Sequence, residues 1–136
     1  MPTWLLSSLL VGVGGFAGSL ARYGLSLACQ RFSFTLPIGT LGANLLGCFA
    51  IGIIAEAAAA TEALTPALRL LLATGFCGGF TTMSSFVYET VQMARAHEYF
   101  FAAVYLGVTI AGSVLAFGIG SVLVKLVLKS TGGLWN

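Results

Sequence analysis

The sequence predicts an all-α membrane protein. Four transmembrane helices per subunit, the third broken at the midplane, pair with a second copy as an antiparallel, dual-topology dimer. Three observations lead there. Of 136 residues, 58% are hydrophobic and 7% charged, with a mean hydropathy of +1.00, whereas an average soluble domain carries about 25% charged residues. Charge-free runs cover 1–21, 32–55, 70–88 and 99–124, each close to the about 20 residues that cross a hydrocarbon core as helix. Finally, Gly75-Phe76-Cys77-Gly78-Gly79-Phe80-Thr81-Thr82-Met83-Ser84-Ser85-Phe86 sets glycines and hydroxyls inside the third run, where glycine weakens helix and polar groups facing lipid are costly.

Spans at about 4–28, 36–58, 66–94 and 99–127 fill a single unit, 1–136. That leaves no room for a soluble catalytic domain and no basic tract for nucleic acid. The first run has neither a basic leader nor a small-residue cleavage pattern, and reads as a retained span rather than a signal peptide. Cys29, Cys48 and Cys77 lack CxxC or Cys/His spacing and read as small buried hydrophobes, not as disulfides or metal ligands. Four crossings put Arg69, Lys125 and Lys129 on one side and Arg22, Arg31 and Arg95 on the other. Orientation follows the Lys/Arg imbalance, so this even division favours neither direction. Dual topology is the resulting expectation.

Taken in order, span 1 starts near Trp4, an interfacial aromatic, and carries Gly14 and Gly18 as a small-xxx-small packing face. Arg22 ends it, either as a snorkelling interface residue or as a cation at the mouth of an anion path. Pro37 opens span 2 as a first-turn proline. Thr40 and Asn44, four apart, share a face with Cys48. The deep amide of Asn44 needs a partner, which is either another helix or a permeating species. Glu56 to Thr65 reads as a loop, and Thr65-Pro66 as an N-cap followed by a proline at the first helical position.

In span 3 the glycine–hydroxyl stretch reads as a break between two half-helices. Thr81, Thr82, Ser84 and Ser85 can cap the second, whose N-terminal end attracts anions, while unwound carbonyls can hold a cation. Glu89 lies on that second half-helix as its supporting carboxylate, with Arg95 near its end; the lone loop histidine His97 is given no catalytic role. Tyr99-Phe100-Phe101 forms an interfacial aromatic cluster opening span 4. Tyr105, Thr109 and Ser113 recur every four residues, a stripe either satisfied by backbone or lining a path. Gly118 and Gly120 read as a close-packing patch, and Lys125 and Lys129 end the span at the headgroups.

Three sets of residues carry a family resemblance: Gly14-Gly15-Phe16-Ala17-Gly18-Ser19-Leu20-Ala21-Arg22-Tyr23; Gly39-Thr40-Leu41 with Asn44 and Gly47; and Gly75-Phe76-Cys77-Gly78-Gly79-Phe80-Thr81-Thr82 with Ser84-Ser85-Phe86 and Glu89. In this order they resemble the Fluc (CrcB) fluoride channels, and the third set is the most specific. The resemblance implies a non-enzymatic, fluoride-selective channel of the bacterial inner membrane that lets cytoplasmic fluoride leave down its gradient and so lowers its toxicity. It also implies an antiparallel homodimer, two fluoride pathways along the subunit interfaces, and a central structural sodium ion held by the backbone carbonyls of Gly78 and Thr81 and their symmetry mates.

Along the fluoride pathway the resemblance places Asn44, Phe86 and a track of hydroxyls, for which Thr40, Ser84, Ser85, Tyr105, Thr109 and Ser113 are the candidates; Arg22 is the vestibule candidate. Met83 stands where the family has its first phenylalanine. An aromatic edge is positive and can face an anion, whereas a thioether offers only polarizable bulk; this departure bears on the rate and geometry of one site, not on the fold. The chemistry is coherent, because a strongly hydrated anion needs donors that replace its water without a fixed charge that would hold it too tightly.

The alternative, a small multidrug-type proton-coupled exporter, would need an embedded carboxylate in span 1, and none lies between Met1 and Arg22. A membrane enzyme would need a buried nucleophile with a base in reach, yet the single histidine is at a membrane edge. A purely structural subunit would leave the polar run of span 3 without a purpose.

Overall fold

The computed structural model describes residues 3–33, 35–61, 64–130 and 132, and every regular element among them is helical. Helix α1 (Thr3–Cys29) leads through a tight turn at Gln30–Phe32 to α2 (Ile38–Ala60). The third region comprises α3 (Pro66–Arg69), a wider-wound segment at Leu70–Cys77, α4 (Gly78–Phe80) and α5 (Met83–Arg95), and α6 (Tyr99–Ser130) follows. Four stretches, Thr3–Phe32, Ile38–Ala60, Pro66–Arg95 and Tyr99–Ser130, are long and apolar enough to cross a membrane. The shortest has 23 residues, about 34 Å at 1.5 Å per residue, against a hydrocarbon core of about 30 Å.

Local chemistry sets the boundaries. Thr65 Oγ1 accepts the Leu68 N–H at 3.3 Å, with Pro66 at the first helical position, where its missing donor costs nothing. Pro37 sits one residue ahead of α2 rather than in its first turn, and its carbonyl accepts the Leu41 N–H. The segment from Glu56 is not a loop at its start: alanine favours helix, and α2 runs on through Ala57–Ala60. Glu56 therefore faces α6, where it accepts from Ser121 Oγ at 2.5 Å and pairs with Lys125 at 3.6 Å. Phe34, Glu62 and Ala63 in the connections lie outside the described residues. At the end of α5, His97 takes a left-handed backbone (φ 62°). Its N–H donates to Ala94 O, and that of Glu98 to Met93 O, the paired bonds of a Schellman cap.

Two helix pairs meet backbone to backbone. A Cβ at Gly14 would lie 2.2 Å from Leu71 O, and one at Gly18 2.1 Å from Phe76 O, so any side chain there would drive α1 off the third region. On the other side, Gly52 of α2 meets Phe117 O and Gly120 of α6 meets Phe49 O equally closely. Close approach of this kind replaces the hydrophobic drive that lipid removes. Gly118 does not join Gly120 in a packing patch, because nothing lies within 4 Å of a Cβ built on it. Two residues along a helix is about 200° of rotation, which turns Gly118 outward. Phe86, Met93, Ala102 and Tyr105 form the apolar core between α5 and α6, with Leu36 and Leu41 against them.

Candidate functional site

Between α4 and α5 the chain is extended for two residues: Thr81 (φ −81°, ψ 157°) and Thr82 (φ −150°, ψ 119°). Their bonding explains the detour. Thr81 N–H and Oγ1 both reach back to Cys77 O. Thr82 N–H, which a continuous helix would send to Gly78 O, donates instead to Asn44 Oδ1 at 2.8 Å, and Asn44 Nδ2 donates to Thr82 O at 3.2 Å. Ser85 N–H, which would reach Thr81 O, is captured by Thr82 Oγ1 at 3.2 Å. Thr82 is thus the N-cap of α5, and the four hydroxyls do not share that task. The diverted bonds take from the Gly78 and Thr81 carbonyls the donors of a regular ladder. Carbonyl oxygens of this kind are the hard ligands that an alkali cation takes, so these two residues fit a sodium ion. No group of three or more His, Cys, Asp or Glu side chains among the described residues could hold a metal.

A cavity of ≈ 360 Å³ opens beside this detour, with Asn44, Thr82, Met83, Phe86, Thr109 and Ser113 on its wall. The wall carries no charged side chain. Phe86 is 2% exposed and packs edge-on against Tyr105, with ring centroids 5.1 Å apart. Met83, by contrast, is 70% exposed and projects from the surface of the single chain. Thr109 Oγ1 is buried and has no hydrogen-bond partner among the described residues, which leaves a donor on the wall at a cost that native interiors usually avoid. Asn44 keeps one of its two amide protons after serving Thr82.

A second, polar cavity of ≈ 190 Å³ lies on the α1 side, lined by Ser19, Arg22, Tyr23, Ser26, Thr40, Thr82 and Ser85. Arg22 does more than snorkel: its Nε donates to Gly79 O at 3.2 Å, ties α1 to the end of α4, and leaves the rest of the guanidinium beside the cavity. Ser19 Oγ donates to the same carbonyl at 3.4 Å. Thr82 stands on the walls of both cavities. Ser19 and Tyr23 entered the sequence reading only as members of the first motif, with no site role, and Ser26 not at all, although Ser19, Arg22 and Ser26 at i, i+3, i+7 do mark one helix face.

Thr40 and Tyr105 are drawn to another partner. Thr40 Oγ1 donates to Glu89 Oε1 and Tyr105 OH to Glu89 Oε2, each at 2.7 Å. A hydroxyl has one proton, so both are given to the carboxylate, and Glu89 fastens α5 to α2 and α6 together. Of the residues picked for one pathway, Asn44, Met83, Phe86, Thr109 and Ser113 share the larger cavity, Thr40 and Ser85 line the smaller, and Tyr105 packs against Phe86 with its hydroxyl on Glu89, the carboxylate given a supporting role. Ser84 is exposed, with its Oγ 3.2 Å from Thr82 Oγ1.

Residues 9–121 match the profile of the family described as CrcB-like protein, Camphor Resistance (CrcB). The chain is 45% identical over 126 residues to the fluoride-specific ion channel FluC of Chlorobium phaeobacteroides (strain BS1), covering 93% of this chain and 98% of that one. It is 46% identical over 118 residues to the protein of the same name from Prosthecochloris aestuarii, covering 87% and 92%. With the one from Chlorobaculum tepidum it shares 48% over 118 residues, covering 87% and 94%.

Proposed function

The chain belongs to the CrcB-like protein family, and from that premise we propose that it is a fluoride-specific ion channel, a multi-pass membrane protein that performs no enzymatic reaction and lets fluoride leave the cell passively. The observation that carries the reading is the uncharged cavity beside the Thr81–Thr82 detour, where Asn44, Thr109 and Ser113 face Phe86. Fluoride holds its water tightly, so a path into protein must offer donors in exchange. The spare Asn44 amide proton, the unpartnered Thr109 hydroxyl and Ser113 offer them without a fixed charge, which suits moderate, multi-site binding. The edge of Phe86, positive in the ring quadrupole, completes the wall. Arg22 beside the hydroxyl-lined smaller cavity is the vestibule cation that draws the anion toward Ser85 and Thr82.

The finer architecture is part of the same proposal. The Thr81–Thr82 detour is the midplane break of the third span, and two such detours meet in an antiparallel homodimer of dual topology in a bacterial inner membrane. The even division of Lys and Arg between the two sides supports this arrangement. So does Met83, whose exposed side chain would reach a second copy. Gly78 and Thr81 would hold the sodium ion through their backbone carbonyls, and the ion would supply the positive charge that pins two detours together. Nothing in the site favours a proton-coupled exporter.

The test is purified protein in liposomes with a fluoride electrode, comparing the native chain with Phe86→Ile and Asn44→Asp. Fluoride release by the native chain that both substitutions suppress is expected. No release, or release indifferent to both, removes the proposal. Terminal reporters test topology separately: labelling from both sides of the membrane is expected, and one fixed orientation would refute the antiparallel pair.

A further inference from the structure

The outward face of α6 carries a shallow, open apolar groove of ≈ 400 Å³, lined by α6 alone, with Leu115, Gly118, Ile119, Val122 and Leu126 on it. It meets the fluoride-side cavity only at Val114. Gly118 forms its notch, with nothing within 4 Å of a Cβ built there. The helix packs on α2 through the opposite side, at Gly120 against Phe49 O, so the groove faces away from the four-helix bundle.

What distinguishes this face from ordinary lipid-exposed helix is how it ends. Lys125 and Lys129 follow Gly118 by seven and eleven residues, and at 100° per residue each falls within about 20° of it around the axis. Both are therefore in line with the notch, about two and three turns nearer the membrane surface. Lys125 is 58% exposed and only loosely paired, 3.6 Å from Glu56; this is the one ion pair among the described residues. From residue 114 to 126 the groove runs about 18 Å, ending where the two cations begin. A second protein helix laid here would bury both ammonium groups, which is costly without a partner. A lipid with a negative headgroup brings that partner.

We propose that this face is a selective site for an anionic phospholipid. One acyl chain lies in the groove over Gly118, and the headgroup phosphate is paired with Lys129 and Lys125. Basic residues just outside a membrane helix attract anionic headgroups with about 1 kcal/mol each, about a fivefold preference per lysine.

The experiment uses the full-length channel, delipidated in detergent and incubated with equal amounts of dioleoyl phosphatidylglycerol and dioleoyl phosphatidylcholine. Retained lipid is counted by native mass spectrometry. The native chain is expected to prefer phosphatidylglycerol by about fivefold or more. Lys129→Gln is expected to remove most of that preference while neutral lipid still binds. Gly118→Phe fills the notch and is expected to lower retention of both lipids. Arg31→Gln, a charge elsewhere on the surface, is expected to leave the preference intact. Equal retention of both lipids by the native chain would overturn the proposal, as would a preference that Lys129→Gln leaves unchanged. A Gly118→Phe chain that keeps its lipids but changes oligomeric mass would assign the groove to a protein contact instead.

Discussion

Asn44 and Thr82 are joined twice: the Thr82 N–H donates to Asn44 Oδ1 at 2.8 Å, and Asn44 Nδ2 donates to Thr82 O at 3.2 Å. One side chain of α2 thus takes the place of a helical neighbour for a residue that has left the helix. Asn44→Ala would strand a donor and an acceptor of Thr82, which is 8% exposed, and each buried unsatisfied group costs about 1–3 kcal/mol. The expected outcome is a lower thermal unfolding midpoint in detergent together with loss of fluoride flux. Normal stability with lost flux would instead assign Asn44 to ion contact alone.

The glycines of α1 make a sharper contrast. Gly14→Ala puts a methyl 2.2 Å from Leu71 O, a contact that something must move to relieve, whereas Gly12→Ala meets nothing within 4 Å. The first substitution should reduce the yield of folded protein. The second should be neutral or stabilising by up to about 1 kcal/mol, since alanine is the better helix former. Size-exclusion yield and unfolding midpoint read the difference.

His97 occupies the left-handed cap position after α5 with φ 62°, where a side chain costs roughly 1–2 kcal/mol. Glycine adopts that conformation without penalty. His97→Gly should therefore raise the unfolding midpoint and leave fluoride flux unchanged, because the cap lies at the membrane edge, away from both cavities.

Met83 is 70% exposed in the single chain, so a larger ring can be accommodated there without repacking the subunit. Met83→Phe should conduct as well as the native chain or faster, because a ring edge faces an anion better than a thioether does. Initial rates from fluoride-loaded liposomes check it; complete loss of release would mean that this position does not correspond to the family's phenylalanine.

The four spans were legible because charge is sparse in hydrocarbon: each of the charge-free runs 1–21, 32–55, 70–88 and 99–124 overlies one of the four long apolar helices, which then carry on past the charge that ends the run. Gly14 with Gly18, and Thr65 before Pro66, were legible because their signals are local in the chain. The destinations of polar side chains were not. Thr40 and Tyr105 are 49 and 16 residues from Glu89, and no periodicity distinguishes a hydroxyl given to a carboxylate from one left for an ion. Glu56 read as a loop residue because a carboxylate beside an apolar run looks like its end, yet Ser121, 65 residues on, receives it within the bundle. Gly118 and Gly120 looked like partners because both are small, although their spacing sends them to opposite sides.

The backbone crossing of α1 on the third region has a mechanical consequence. With Gly14 and Gly18 seated against the carbonyls of Leu71 and Phe76, no layer of pliable side chains exists over which the two could slide. A thinner bilayer would therefore tilt them as one rigid plank.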